Sequence, residues 1–441
     1  MTAVEVTAAR PSAVLDETHV GDIRGAFGTI RVDDFEARRT LSAKMKTLLA
    51  VVGPGLIVMV GDNDAGAFST YGQAGQNYGT RLLWTLLLLI PLYMMSHPAG
   101  ASMVRGFTTP DLPGGSGGMA VVMLLVIGIV GTTVAPWQLF FQQSYVVDKR
   151  ITPRFMKYEK ADLWIGIVIV VLGATAVMGA TAAAFAGTKG AGNFTDSAGL
   201  ARGVAAYGGH LAGAVFAVAL LDAAIIGAFA VSLSSAYAIG DVLGMNHSLH
   251  RGVGQAKGFY AIYVALICGA ATVVLIPGSP LGLITEGVQV LAGVLLPSAT
   301  VFLLLLCNDK AVLGPWVNGR RTNAFTAAVI SVLITLSVIL TVSVVFPHIT
   351  AGQILMIIAG CAAAAVAAGG ALMARGTSGG AADEGVASYG DRMMWRMPPL
   401  SELPAPVITG ARKVGLIGLR GYLAMAMILV VVKVVLMAIG H

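Results

Sequence analysis

GPGLIVMVGDNDAGAFSTYGQAGQNYG, residues Gly53 to Gly79, is the stretch whose reading decides the fold. An apolar half-helix runs into Gly61-Asp62-Asn63-Asp64-Ala65-Gly66, and small residues then resume. A charge at the bilayer centre costs at least about 2.5 kcal/mol on insertion scales. Irregular backbone at that depth survives only where it is buried in protein or lines a cavity. The segment therefore reads as a broken helix whose freed carbonyls and carboxylates, Asp62 and Asp64, face a cation site, as in secondary transporters. The competing reading leaves both carboxylates at a membrane edge as helix caps.

A second interrupted segment follows, GIVGTTVAPWQLFFQQS, Gly128 to Ser144. Pro136 inside an apolar run removes one backbone hydrogen bond and frees a carbonyl near Thr132. Trp137, Gln138, Gln142 and Gln143 come after it. An ordinary proline kink is the bland alternative. Two interrupted helices, one per half of a chain, point to a binding site between them at the membrane midplane.

The rest of the chain supplies the membrane. Of the 441 residues, 56% are hydrophobic and 11% charged, and the mean hydropathy is +0.81. Soluble domains carry about 25% charged residues, so the chain is all-α and polytopic, with room for roughly nine to eleven spans. Apolar stretches run over 48–73, 82–95, 119–144, 163–186, 211–243, 259–276, 281–307, 324–346, 354–373 and 422–439. Residues 1–43 read as a mostly disordered tail, 44–374 as the membrane domain, 375–420 as a polar segment and 421–441 as an extra C-terminal span.

Charged loops set the expected orientation. Lys149, Arg150, Arg154, Lys157 and Lys160 fall in one loop, Arg251 and Lys257 in another, and Lys310, Arg320 and Arg321 in a third. Such loops face the cytoplasm, which also places the basic N-terminus inside and the chain in the plasma membrane. An even number of spans must then precede Lys149, whereas three apolar stretches do. Either 82–95 does not cross, or the chain lacks a piece there. The net charge of +6 is read as this loop bias and not as nucleic-acid binding. No protein partner is implied beyond the bilayer. Cys268, Cys307 and Cys361 lie far apart in or beside apolar stretches, which supports neither a disulfide frame nor a thiolate site.

The two interrupted segments resemble the first and sixth helices of the NRAMP family of divalent metal transporters, which carry Asp-Pro-Gly-Asn and Met-Pro-His. The likeness extends to Gly53-Pro54-Gly55, Gln73-Ala74-Gly75, Gly131-Thr132-Thr133-Val134, Leu296-Pro297 and Asn308-Asp309-Lys310. It implies an inverted-repeat fold of the APC/LeuT type and a divalent cation as cargo, with no resident cofactor. Asp64 matches the family's metal-binding aspartate and the Thr132 carbonyl its backbone ligand. The departures are Ala65 and Ala67 for proline and asparagine, and Ala135 and Trp137 for the metal-binding methionine and the histidine.

A thioether favours softer transition metals, whereas oxygen ligands suit magnesium, which usually keeps several waters. Ala67 and Ala135 would leave room for those waters, so the resemblance leans to the magnesium-transporting branch. Magnesium comes first among expected cargoes, then manganese, with iron(II) a further candidate. Losing the histidine at Trp137 implies weak or absent proton coupling. In the family four helices separate the two broken ones. Here only the short 82–95 stretch and Ser96-His97-Pro98-Ala99-Gly100 stand between them, so the first repeat is expected to be incomplete.

Two further polar residues lie inside apolar runs. Gln289 could offer an oxygen to the ion or a helix–helix hydrogen bond. Asp222 reads equally as a functional group and as a structural one, in a salt bridge or with a hydroxyl partner such as Ser232 or Ser234. A transporter or channel of the same architecture for an amino acid or sodium would want a glycine stretch receiving a carboxylate instead of acidic residues at the break. No HExxH, GxSxG, Walker or GxGxxG context supports an enzyme.

Overall fold

The computed structural model describes residues 17–61, 63–83, 118–346, 349–376 and 410–438. Apart from a small N-terminal hairpin it is helical. The helices are α1 (Leu41–Val51), α2 (Pro54–Val60), α3 (Ala65–Tyr78), α4 (Gly118–Thr133), α5 (Pro136–Asp148), α6 (Met156–Phe185) and α7 (Ser197–Leu243). They continue as α8 (Lys257–Val274), α9 (Leu281–Leu306), α10 (Arg320–Val345), α11 (Ala351–Gly376) and α12 (Gly410–Ala438).

Among the described residues six helices are long and apolar enough to cross a membrane, or seven if the bent α1–α2 pair is one span. That is fewer than the ten apolar stretches. The first broken helix is cut into pieces too short to count, residues 84–117 lie outside the described set, and α11 counts as a shorter apolar helix over Gly352–Ala367. The 82–95 stretch falls largely outside the described residues.

Helix α4 occupies the centre. Val122 to Ile127, Ile129 and Val130 are all buried, and a helix apolar all round belongs inside protein. It packs against α9, α3 and α10, while α3 packs against α6 and α7, and α12 lies along α9. α8 is the outermost span, with 6% of its apolar window buried against 78% for the α4–α5 span. The polar stretch between the apolar runs 163–186 and 211–243 is helical from Ser197, capped by Asp196 Oδ1 accepting from Gly199 N at 2.6 Å. The chain leaves helical geometry at Gly209 before the apolar part of α7 begins.

The N-terminal segment is more ordered than its polar composition suggests. Strands β1 (Ile23–Gly25) and β2 (Gly28–Ile30) pair antiparallel and pack on α1. Ile23 and Ile30 join a small core with Ala50, Val51, Ile151 and Phe155. Arg150 donates to Thr18 O at 2.7 and 2.9 Å, and Arg154 donates to the carbonyls of Asp34 and Glu36. The basic loop therefore also fastens residues 17–39 down, placing this N-terminal segment and the loop on one face.

The same face carries a pH-dependent contact. His247, beyond the end of α7, pairs with Asp241 at 3.0 Å, and its Nδ1 lies 2.7 Å from Met245 O. The neighbouring carboxylate raises the imidazole above its ordinary value. A raised value means the contribution is fully present below the usual histidine value of about 6.5 and fades as pH climbs through the shifted one. The unfolding midpoint in detergent is expected to fall between pH 6 and pH 8. His247→Gln is expected to flatten that fall, and an unchanged slope in the variant would remove the assignment.

Candidate metal site

Both interruptions are present where the two segments place them. α2 ends at Val60 and α3 begins at Ala65, with Asp64 as its N-cap. The Asp64 Oδ1 accepts from Ala67 N at 2.8 Å, satisfying one of the donors that every helix start leaves open. Asp64 is thus a helix cap, as the bland reading had it, yet it caps a helix inside the bundle. It is half-buried, and Ala67 behind it is fully buried. Asp62 lies outside the described residues.

At the second interruption α4 ends at Thr133 and α5 begins at Pro136. Pro136 has no N–H to return to the Thr132 carbonyl. The next donor, Ala135 N, is taken by Gln138 Oε1 at 2.8 Å. The end of α4 is thereby left open at Thr132, whose buried hydroxyl has no partner either. Ala135 is 6% exposed and Thr132 2%, so the opening is internal.

The two interruptions are held together by side chains. Gln138 Nε2 donates to Val58 O at 3.1 Å, linking α5 to α2. Tyr71 of α3 donates to Thr133 Oγ1 at 3.1 Å. Trp137 lies against Phe141, with ring centroids 5.7 Å apart, and its edge reaches Gly61. It is half-buried in this cluster. Ser234 of α7 donates to Trp137 O at 3.2 Å.

Close approach by glycine brings in α7 and α9. A Cβ on Gly66 would stand 1.9 Å from Gln289 Nε2 and 3.0 Å from Asp64 Oδ1, so the Gln289 amide lies beside the aspartate. A Cβ on Gly227 would meet Asp64 Cβ at 2.4 Å. One on Gly131 would stand 2.3 Å from both Gln289 O and Gly293 N. Backbone atoms cannot swing aside, so Gly131→Ala is expected to cost about 1–3 kcal/mol through overpacking. A lower unfolding midpoint and a broadened elution profile would report it, and a variant as stable as the parent would show that α4 and α9 can part.

Asp64, Ala67, Thr132, Ala135, Pro136, Trp137 and Gln289 therefore converge, and Asp222 does not. It is exposed on α7, away from the face carrying Gly227, and Ser234 is engaged with Trp137. Ser232 and Ser234 lie ten and twelve positions further along the helix, beyond the reach of an i,i+4 pair. The hydroxyl partnership proposed for Asp222 is thus not formed.

Three positions that shape the site were not singled out as such. Gln138 bridges the two breaks. Asp162 of α6 is fully buried, and its Oδ2 accepts from Gly53, Gly55 and Leu56 N–H groups at 3.0, 2.8 and 3.2 Å. Lys149 Nζ donates to Val51 O and Val52 O, both at 2.6 Å. Between them they cap both sides of a 55° bend separating α1 from α2. Only the Gly53-Pro54-Gly55 lead-in hinted at this bend. Near the far end of α3, Gln73 Nε2 donates to Glu286 Oε2 at 3.3 Å, so Glu286 is a clasp between helices.

Among the described residues no group of three His, Cys, Asp or Glu side chains could hold a metal. The chemistry available at the breaks is one carboxylate and an opened helix end, both oxygen donors of the hard type, with the Gln289 amide beside them through its nitrogen.

The chain was compared with known proteins. The profile described as "Natural resistance-associated macrophage protein-like" matches residues 55–96 and 90–343, more than half of the chain. No curated protein matches significantly. Among solved structures, a manganese transporter from Eremococcus coleocola in complex with an aromatic bis-isothiourea substituted compound shares 16% identity at a TM-score of 0.48. That alignment covers 77% of this chain and 96% of the other. A mutant of the same transporter gives 15% identity and a TM-score of 0.49, covering 80% and 97%. These structural likenesses are weak, and the profile match decides the matter: the chain belongs to the Nramp family, whose members are membrane transporters and not enzymes.

Proposed function

We propose that the chain is a secondary transporter that carries divalent cations between its two helix breaks, magnesium first and manganese second. Asp64 supplies the charge, while the Thr132 carbonyl and Gln289 supply neutral oxygens. Ala67 and Ala135 leave space for waters the ion keeps. The observation that supports this reading is the meeting of one carboxylate with an amide and an opened helix end. Alanine stands where relatives of the family carry a thioether. The basic loops and the N-terminus on the same face are read as cytoplasmic, and the membrane as the plasma membrane.

We take the first repeat to be incomplete. In support, the family match falls into two stretches that meet at residues 90–96, where the chain passes from the first broken helix towards the second.

Proteoliposomes test the proposal directly. Magnesium and manganese are expected to enter, and uptake of iron or cadmium without magnesium would sink the magnesium assignment. With tryptophan at position 137, addition of metal is expected to leave the lumenal pH unchanged, and a clear metal-dependent acidification would refute uncoupled transport. No flux of any ion from well-folded protein would make the chain an inactive, shortened relative.

A further inference from the structure

A polar seam runs outward from the helix breaks along the contact between α3 and α9. α9 enters at Leu281 on the face opposite the basic loops, because α8 begins beside one of those loops at Lys257 and crosses before it. Glu286 lies just inside that face, and Gln289 follows one turn deeper. On α3, Gly66 meets Gln289 Nε2, and Gln73 Nε2 donates to Glu286 Oε2 at 3.3 Å. Asn77, one turn further out on the same stripe of α3, keeps a buried amide oxygen with no partner. The segment after α6 ties these helix ends together. Gln76 Nε2 donates to Gly190 O at 2.7 Å, and Thr195 O lies against Gly282.

Glu286 carries a charge that this packing does not use. Gln73 needs only an acceptor, which a neutral amide at 286 would provide without the cost of half-burying an anion. The groups that bear on Glu286 electrostatically are Gln73 and Tyr78, with no lysine, arginine or histidine among the described residues. No described residue donates to its Oε1, and the side chain is half-buried, so that oxygen is open. Gln73 lies seven positions beyond Gly66, about 10 Å of helix at 1.5 Å per residue. The glutamate thus stands roughly two turns of α3 out from the first break, with the Gln289 amide between.

We propose that Glu286 is a landing point for the divalent cation, which it holds with its waters through Oε1 before the ion passes Gln289 to Asp64. The inference rests on the transport reading given above. An ion on a conducting path needs sites that bind it firmly enough to enter and weakly enough to leave. One carboxylate oxygen with retained waters is such a site, and magnesium usually keeps several waters. A half-buried anion near an entrance also gathers cations from solution.

Glu286→Gln is the deciding variant, since it keeps an acceptor for Gln73 and removes the charge. In proteoliposomes its KM for manganese and magnesium is expected to rise about tenfold at low salt with kcat unchanged. Added salt should narrow the gap to the parent. A purely structural clasp predicts otherwise: Glu286→Gln keeps the parental KM, and only Glu286→Ala loses stability and kcat. A second readout needs no flux. A hydrophobic carbodiimide labels half-buried carboxylates, and peptide mass spectrometry of the detergent-purified full chain follows the label at Glu286. Manganese is expected to slow that labelling in Asp64→Asn as well as in the parent, and sodium at equal ionic strength is not. Labelling indifferent to manganese, or a parental KM in Glu286→Gln, would overturn the landing point. Protection of Glu286 in a chain that moves no ion would count against transport and leave this cation site standing.

Discussion

Alanine at Asp64 is expected to reduce magnesium and manganese flux in proteoliposomes to the protein-free background. Asp64 is the acidic side chain described at the two breaks, and the remaining donors are neutral. An ion losing its one anionic ligand away from bulk water forfeits several kcal/mol, and each 1.4 kcal/mol is about tenfold in affinity. The loss should therefore exceed two orders of magnitude. The same carboxylate also caps α3 through Ala67 N, so alanine additionally costs about 1 kcal/mol of stability. Asp64→Asn separates the two roles. Asparagine still caps a helix, so the chain should fold as the parent does while flux remains lost. Parental flux in Asp64→Asn would place the ion elsewhere.

The second large effect is expected far from the ion. Asp162→Ala should lower stability by about 3 kcal/mol or more, because three N–H groups, the Gly55 one buried, lose a charged acceptor at once. Those donors begin α2, so the inner half of the first broken helix loses its anchor. Asp162→Asn keeps one side-chain oxygen and should cost less. Unfolding midpoints of the two variants in detergent check the order. Equal and small losses would mean that Lys149 alone holds the bend.

The breaks were legible because their causes are local. Gly61 to Gly66 combines glycines and carboxylates that no lipid-facing helix tolerates, and Pro136 lacks an N–H wherever it sits. The α1–α2 bend was not legible. Its donors are Gly53, Gly55 and Leu56, but its acceptor, Asp162, comes more than a hundred residues later. The N-terminal hairpin was hidden for the same reason, since Arg150 and Arg154 order a segment whose own composition is polar. Gln138 was visible as a polar residue after the proline, yet its bond to Val58 depends on how the two breaks meet. Asp222 shows the opposite failure. Its depth in an apolar run suggested a role, and α7 instead turns it outward.

If Asp64 alone holds the ion, as proposed, that single carboxylate also fixes how the carrier feels voltage. An empty site holding only Asp64 carries −1, and a divalent ion converts it to +1. The membrane potential then assists the loaded passage and the empty return with equal weight, up to about 2.3 kcal/mol per 100 mV for each. Sharing the ion with Asp62 would make the loaded carrier neutral and leave the potential acting on the empty return alone. Currents recorded with and without the ion would tell a carrier that is electrically symmetric from one that is driven only on its way back.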